Sequence, residues 1–364
     1  MTSTPNDVAF VLDYSGSMSS CFRKLDQSTH YFINKKHAED RLAIVRFDDS
    51  VGVETPLLKN SNDILRRLAF NQGDDYAGST ALYAASDAGL GLLTDTMRNR
   101  HLLLLTDGFE NSSMFYWGKY ATLASEVITN ARKNNVAITT IDYGGSANTP
   151  LLQALADMSG GNNYQLKNGD DIQKVFLELQ HLYHNYYEIR YKPVPVDGDR
   201  IIDLVYNDNT GHLNSTRAFA YISDSVDIDV FEEEGISSNS NQSNTYNNMK
   251  IINRQTVALF DFEKSYLDAT GKSKLDVVAD FMKKNPSYKI IVMGYSDLKG
   301  EDRYCIRISK ERAQEVRQYL RRKGIPASRI TYEAKGKSEP VWLVEDLEWK
   351  ARENRRVDIL YLNP

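Results

Sequence analysis

The feature that most constrains this chain is a set of short apolar runs alternating with longer stretches of helical periodicity. Val8–Leu12, Leu42–Phe47, His101–Leu105 and Val136–Ile141 read as buried strands. Helical patterns over Ser79–Leu93, Trp117–Asn134 and Asp170–His184 lie between and after them. Buried strands joined by helical crossovers predict an α/β domain built on a doubly wound, mostly parallel sheet. Three later segments, Tyr187–Lys192, Arg200–Tyr206 and Thr216–Ile222, alternate with period two. They read as antiparallel strands, either appended to that sheet or forming a small β-subdomain.

At 364 residues the chain is two to three times the usual domain length of roughly 100–150, so two cores are expected. The clearest linker is the polar tract 232–249, which opens with Glu232-Glu233-Glu234 and has almost nothing apolar to bury. Beyond it the pattern is strand 257–262, helix 275–285, strand 289–293, helix 310–323, strand 329–332, a short helix and strand 356–361, an α+β domain. The expected organisation is therefore 1–192, a β-strand extension 193–231, a polar linker 232–250 and a second domain 251–364. Charge follows this division. Residues 1–250 carry 21 basic and 32 acidic side chains, whereas 251–364 carry 23 and 17.

The first buried run leads directly into Asp13-Tyr14-Ser15-Gly16-Ser17. In nearly extended backbone, spacing by two sends Asp13, Ser15 and Ser17 to one side, and Gly16 permits the tight turn that lets their oxygens converge. The tip lies at the carboxyl end of a strand, where open α/β sheets bind ligands. Thr80 opens a helix and Asp107 ends another buried strand, adding two oxygen ligands at the same edge. Hard oxygen donors without His or Cys favour Mg²⁺ first, then Mn²⁺ or Ca²⁺. The bland alternative is that Asp13 and the serines only cap a turn. A third is a cation that serves folding alone.

Over residues 6–190 this arrangement resembles the metal-ion-dependent adhesion site of von Willebrand A domains, in which a DxSxS motif, a distant Thr and a distant Asp coordinate one divalent cation. All five positions match, at Asp13, Ser15, Ser17, Thr80 and Asp107. The resemblance implies a non-enzymatic adhesive site whose cation accepts an acidic residue from a protein partner.

In the second domain, Asp297 follows a strand and Arg312 is expected in the first turn of a helix N-capped by Ser309. A carboxylate and a guanidinium bordering one pocket can recognise a zwitterion; equally, they can pair with each other. Gly294-Tyr295-Ser296-Asp297, Cys305 to Ala313, Lys335 to Pro340 and Asn354-Arg355-Arg356-Val357 resemble the OmpA-like peptidoglycan-binding family over residues 255–362. That resemblance implies that Asp297 and Arg312 hold the amino-acid end of diaminopimelate in the cell-wall stem peptide. Departures are Tyr295 and Ser296 for the usual His and Thr, Ile308 for Leu, and Cys305 for an Asn that orders the loop.

Other candidates are weaker. His181 and His184 stand three apart on a helix, a spacing that packing or solvation explains. Asn207–Gly211 resembles the start of a calcium loop but lacks the downstream Glu, and a hairpin turn accounts for it. Cys21 and Cys305 make no disulfide framework. The basic excess is not clustered with aromatics as nucleic-acid binding requires. No apolar run reaches the roughly 18 residues of a membrane span, and the polar start is no signal peptide, so an export address is expected outside this chain. The expectation is a protein of the periplasm or outer membrane of a Gram-negative bacterium, bound to peptidoglycan and to an acidic protein ligand. Its alternative is a scaffold of an envelope secretion or motility complex in which the metal only stabilises the fold.

Overall fold

β1 (Asn6–Asp13) is buried along its whole length, as a strand of this composition must be at the centre of a sheet. In the computed structural model it pairs in parallel with β2 (Arg41–Phe47) on one side and β4 (Asn99–Thr106) on the other. β3 (Val51–Leu58), β5 (Ala137–Tyr143) and β6 (Asn163–Leu166) complete a six-stranded sheet of order β3-β2-β1-β4-β5-β6. Only β3 runs antiparallel to its neighbour. The structure describes residues 4–20, 22–69, 79–107, 110, 112–116, 118–143, 149–166, 172–184, 200–207, 213–220 and 250–363.

Period-two alternation sends the residues of β1 to opposite faces. Val8, Phe10 and Leu12 pack with Leu25, Phe32 and Ile33 of α1 (Phe22–Lys35), Ile64 of α2 (Ser61–Ala69), and Phe176 and Leu179 of α6 (Ile172–His184). The Phe10 ring lies 4.6 Å from Phe32 and 5.4 Å from Phe176, distances at which tilted rings attract. On the other face Ala9 and Val11 meet α3 (Leu82–Leu92), and Gly89 permits the approach, because a Cβ there would stand 2.8 Å from Val11. α4 (Ala124–Lys133) and α5 (Thr149–Ser159) follow on that side, where Thr140 of β5 donates to the Leu152 carbonyl of α5 at 3.1 Å. The sheet is thus mixed, with helices on both faces.

β7 (Arg200–Asn207) and β8 (Leu213–Ala220) pair antiparallel as a two-stranded sheet of their own, which decides against strands appended to the large sheet. The pairing runs to Asn207 with Leu213. Residues 208–212, the segment Tyr187–Lys192 and the tract 232–249 lie outside the described residues.

Contacts divide the chain into two units, Met1–Asp229 and Val230–Pro364. The second contains β9 (Lys250–Leu259), α7 (Ala269–Lys284), β10 (Lys289–Tyr295), α8 (Asp302–Arg322), β11 (Ile330–Gly336), α9 (Glu348–Asn354) and β12 (Arg356–Asn363). Its sheet order is β11-β10-β12-β9, parallel between β10 and β11 and antiparallel elsewhere, with α7 and α8 on one face. No described helix is long and apolar enough to cross a membrane.

Three expectations are corrected here. β9 ends at Leu259, so Phe260 to Phe262 are not strand. α7 begins at Ala269, where Asp268 caps it by accepting from Gly271 N at 2.7 Å. α8 begins at Asp302 rather than Lys310, because no residue from Asp302 to Ser309 breaks a helix and the acidic first turn complements its dipole. Ser309 is therefore not an N-cap. It lies mid-helix, donates to the Ile306 carbonyl at 2.9 Å and accepts from Gly336 N at 3.1 Å. The helix rides close on β10 because Gly294 lacks a side chain: a Cβ there would fall 2.0 Å from the Ser309 carbonyl oxygen. Gly294→Ala is expected to lower the stability of this unit by about 1–3 kcal/mol or more through overpacking. Gly91→Ala in α3, with nothing within 4 Å, should cost nothing and gain up to about 1 kcal/mol of helix propensity. Calorimetric unfolding of both variants tests the contrast, and equal behaviour contradicts it.

Candidate functional site

Strand order reverses between β1 and β4, so the chain leaves β1 for one face of the sheet and β4 for the other. Open α/β sheets bind ligands at the carboxyl ends of the strands that flank such a reversal, and the DxSxS segment turns there. Ser15 N donates to Asp13 Oδ1 at 2.8 Å, the Ser15 and Ser17 hydroxyls lie 3.1 Å apart, and Ser17 Oγ donates to Asp107 Oδ1 at 2.7 Å. Asp13, Ser15, Ser17 and Asp107 are thus joined in one hydrogen-bonded chain.

Asp13 is 0% exposed. Burial pushes its carboxyl up to about 6, against the opposing hydrogen bonds from Thr106 and Ser15, and the charge of Asp107 adds to the rise. Burial likewise raises Asp107, opposed by Ser17, with the charge of Asp142 contributing. Among the described residues no basic side chain pairs with either carboxylate, and no three Cys, His, Asp or Glu side chains converge into a cage. The cluster is a set of hard oxygens without a counter-charge.

Thr80 is buried just ahead of α3, and its carbonyl accepts from Ser112 N at 3.1 Å. Glu110 braces this junction, accepting from Tyr83 N at 3.0 Å, Ser112 N at 2.9 Å and Ser113 N at 2.7 Å. It ties the loop after Asp107 to the first turn of α3. Sequence reasoning missed Glu110, and nothing in its local pattern marks it. It also missed Thr106, whose hydroxyl donates to Asp13 Oδ2 and whose position inside the Leu105-Thr106-Asp107 string was the available signal. His181 is exposed on α6; the His184 side chain and Cys21 lie outside the described residues.

In the second unit Asp297 and Arg312 are both buried, 5% and 1% exposed, and they do not pair with each other. Arg312 stands about three turns into α8. Its Nε donates to the Lys264 carbonyl at 2.9 Å and its Nη1 to the Tyr295 carbonyl at 3.0 Å, while Nη2 reaches toward the Asp261 carbonyl at 3.5 Å. Burial pushes this guanidinium down to about 10, with Asp297 acting the other way. The partner of Asp297 is Arg355, whose Nη1 donates to Oδ2 at 3.0 Å and whose other donors go to the Phe260 carbonyl and Glu348. Arg355 lies inside the Asn354–Val357 string yet was given no role.

Neighbouring groups set the loops. Asn354 accepts from Val341 N and Trp342 N and donates to the Trp342 carbonyl and Glu345, which in turn accepts from Leu298 N. Cys305 is buried, and its thiol donates to the Lys299 carbonyl at 3.2 Å, so the loop keeps one hydrogen bond at that position. Tyr295 is stacked beneath the Arg356 guanidinium, 3.9 Å from ring centre to carbon, and takes a hydrogen bond from Arg254 at 2.8 Å.

Comparison with known proteins agrees with both halves. A family model for the von Willebrand factor type A domain matches residues 7–178, and one for the OmpA family matches residues 259–355. Outer membrane protein A of Bordetella avium is 41% identical over 100 residues, 28% of this chain and 51% of that protein. The peptidoglycan-associated lipoprotein of Rhizobium meliloti is 30% identical over 101 residues, 28% of this chain and 57% of that protein. That of Pasteurella multocida is 29% identical over 116 residues, 32% of this chain and 77% of that protein. The chain spans about half the length of the first two relatives. It contains an N-terminal von Willebrand factor type A domain and a C-terminal OmpA-like domain.

Proposed function

We propose that this chain is a non-enzymatic protein of the bacterial periplasm or outer membrane, gripping peptidoglycan with its OmpA-like domain and offering a divalent cation to a protein partner with its von Willebrand domain. Both families are structural or adhesive rather than catalytic, and relatives of the OmpA-like region include peptidoglycan-associated lipoproteins. The domains are taken as 1–192 and 251–364, with 193–231 a β extension and 232–250 a linker.

What carries the wall-binding reading is that Asp297 and Arg312 are buried side by side without neutralising each other. Arg312 has five N–H donors and gives three to carbonyls, leaving donors for a ligand carboxylate. Asp297 gives one oxygen to Arg355 and keeps the other for an ammonium group. The amino-acid end of a diaminopimelate residue has both charges. The Lys264 and Asp261 carbonyls hold two of the guanidinium nitrogens in place.

In the first domain Asp13, Ser15, Ser17, Thr80 and Asp107 would hold the cation, with Mg²⁺ first and Mn²⁺ or Ca²⁺ as the other candidates. Bound there, it supplies the positive charge to which a partner's carboxylate attaches. Buried carboxylates without basic partners and hydroxyls already turned toward them fit such an ion.

Purified peptidoglycan sacculi should sediment the intact chain. Asp297→Asn, which retains an acceptor for Arg355 but removes the charge facing it, should weaken sedimentation at least about tenfold and also lower the melting temperature, so sedimentation is compared well below the melting point of the variant; undiminished sedimentation removes the wall-binding reading. After EDTA treatment, added MgCl₂ should raise the melting temperature of the wild type and leave Asp13→Asn unchanged. A partner captured equally well with and without Mg²⁺ would point instead to a scaffold whose metal serves the fold.

In EDTA the folded state holds the Asp13 proton more tightly than the unfolded chain, where an Asp titrates near about 3.9. The stability of the first domain should therefore fall as pH rises from about 4 through about 6. Melting curves at pH 5 and pH 7 should show this difference in the wild type and a smaller one in Asp13→Asn.

A further inference from the structure

Asp142, at the end of β5, takes no part in the five-residue motif, yet it stands in the same row. β1, β4 and β5 are adjacent and parallel, and Thr106 is in register with Asp142. Leu12, Leu105 and Ile141 all point into the core beneath α1 and α6. Asp13, Thr106 and Asp142, one residue further along each strand, therefore share the opposite face. Thr106 stands between the two carboxylates and spends its hydroxyl on Asp13.

The Asp142 side chain is 0% exposed. Its Oδ2 accepts from the Thr149 hydroxyl at 2.6 Å, at the start of α5. Its Oδ1 is buried and has no hydrogen-bond partner, and no basic side chain pairs with it among the described residues. An unpaired carboxylate oxygen kept out of water is costly unless something positive or a water fills the place beside it. Asp142 is also near enough for its charge to act on Asp107.

Resting on the cation reading above, we propose that Asp142 is a third carboxylate of the metal centre, holding the divalent cation from beyond its immediate ligands through a bound water. Among the described residues the three carboxylates do not converge into a direct cage, so the role proposed for Asp142 lies outside the first ring of oxygens. Its anchor on Thr149 occupies Oδ2 and leaves Oδ1 as the oxygen for that water. The anchor also ties the start of α5 to the loaded state of the site.

Asp142→Asn is the informative change, because the amide oxygen still accepts from Thr149 while the charge is gone. Titration calorimetry of the full chain with MnCl₂ and MgCl₂, paired with melting in EDTA, provides two readouts. Asp142→Asn should bind either ion about 10-fold or more weakly, in the range that outer partners of metal ligands produce. In EDTA it should melt no lower than the wild type, since a buried charge has been removed. A residue that only anchors α5 would not lower affinity and leave metal-free stability intact. Wild-type binding that is lost in Asp13→Asn but within twofold in Asp142→Asn overturns the role of Asp142 alone. A wild type that binds neither ion overturns this inference together with the cation reading beneath it.

Discussion

Where strand order reverses, the connections after two neighbouring strands diverge to opposite faces of the sheet, and the first domain is arranged around that divergence. The connection after β1 leads to α1 and the connection after β4 leads to α4, on opposite faces, while β1 and β4 stay paired as far as Leu12 and Leu105. A side chain at the end of β1 is then walled by two strands and capped only by its own turn. Among the described residues the partners of Asp13 are neutral donors, the Ser15 backbone amide and the Thr106 hydroxyl, which hold the carboxylate in place without a counter-charge. The surrounding hydrogen bonds, the Glu110 brace and the row formed with Thr106 and Asp142 all serve this one location.

The parts of the fold that could be read from sequence are those for which burial acts on every residue in turn. β1, β2, β4 and β5 are buried nearly throughout, and their apolar runs announced them. β3 carries Gly52 and Pro56 and is half exposed, while β6 is the four residues Asn163–Leu166. Edge strands of this kind need no continuous apolar run, so composition does not mark them. The start of α8 was misplaced for a related reason. Ser309 has the chemistry of a cap, but its hydroxyl is used between a helix carbonyl and the Gly336 amide, a pairing that exists only once β11 lies beside the helix.

The sites divide in the same way. Short-range spacing placed Asp13, Ser15 and Ser17 together, and strand ends brought in Asp107, because those relations are set by the local backbone. Arg355 could not be assigned from spacing, since it meets Asp297 across 58 residues through the pairing of β10 with β12. With Arg355 in place, Asp297 is held by a cation before any ligand arrives, and Arg312 is held by carbonyls. Breaking either arrangement exposes an uncompensated buried charge, so the two side chains are kept in position by the cost of moving them.

Tyr295 has a further consequence. An imidazole at this position, which the OmpA-like pattern otherwise carries, would gain and lose a proton near pH 6.5. The phenol does not: burial drives its ionisation upward, the Arg356 guanidinium lies over its ring, and Arg254 donates to its oxygen. A ring that keeps one protonation state leaves the turn that carries Asp297 indifferent, at this position, to whether the surroundings are acid or neutral.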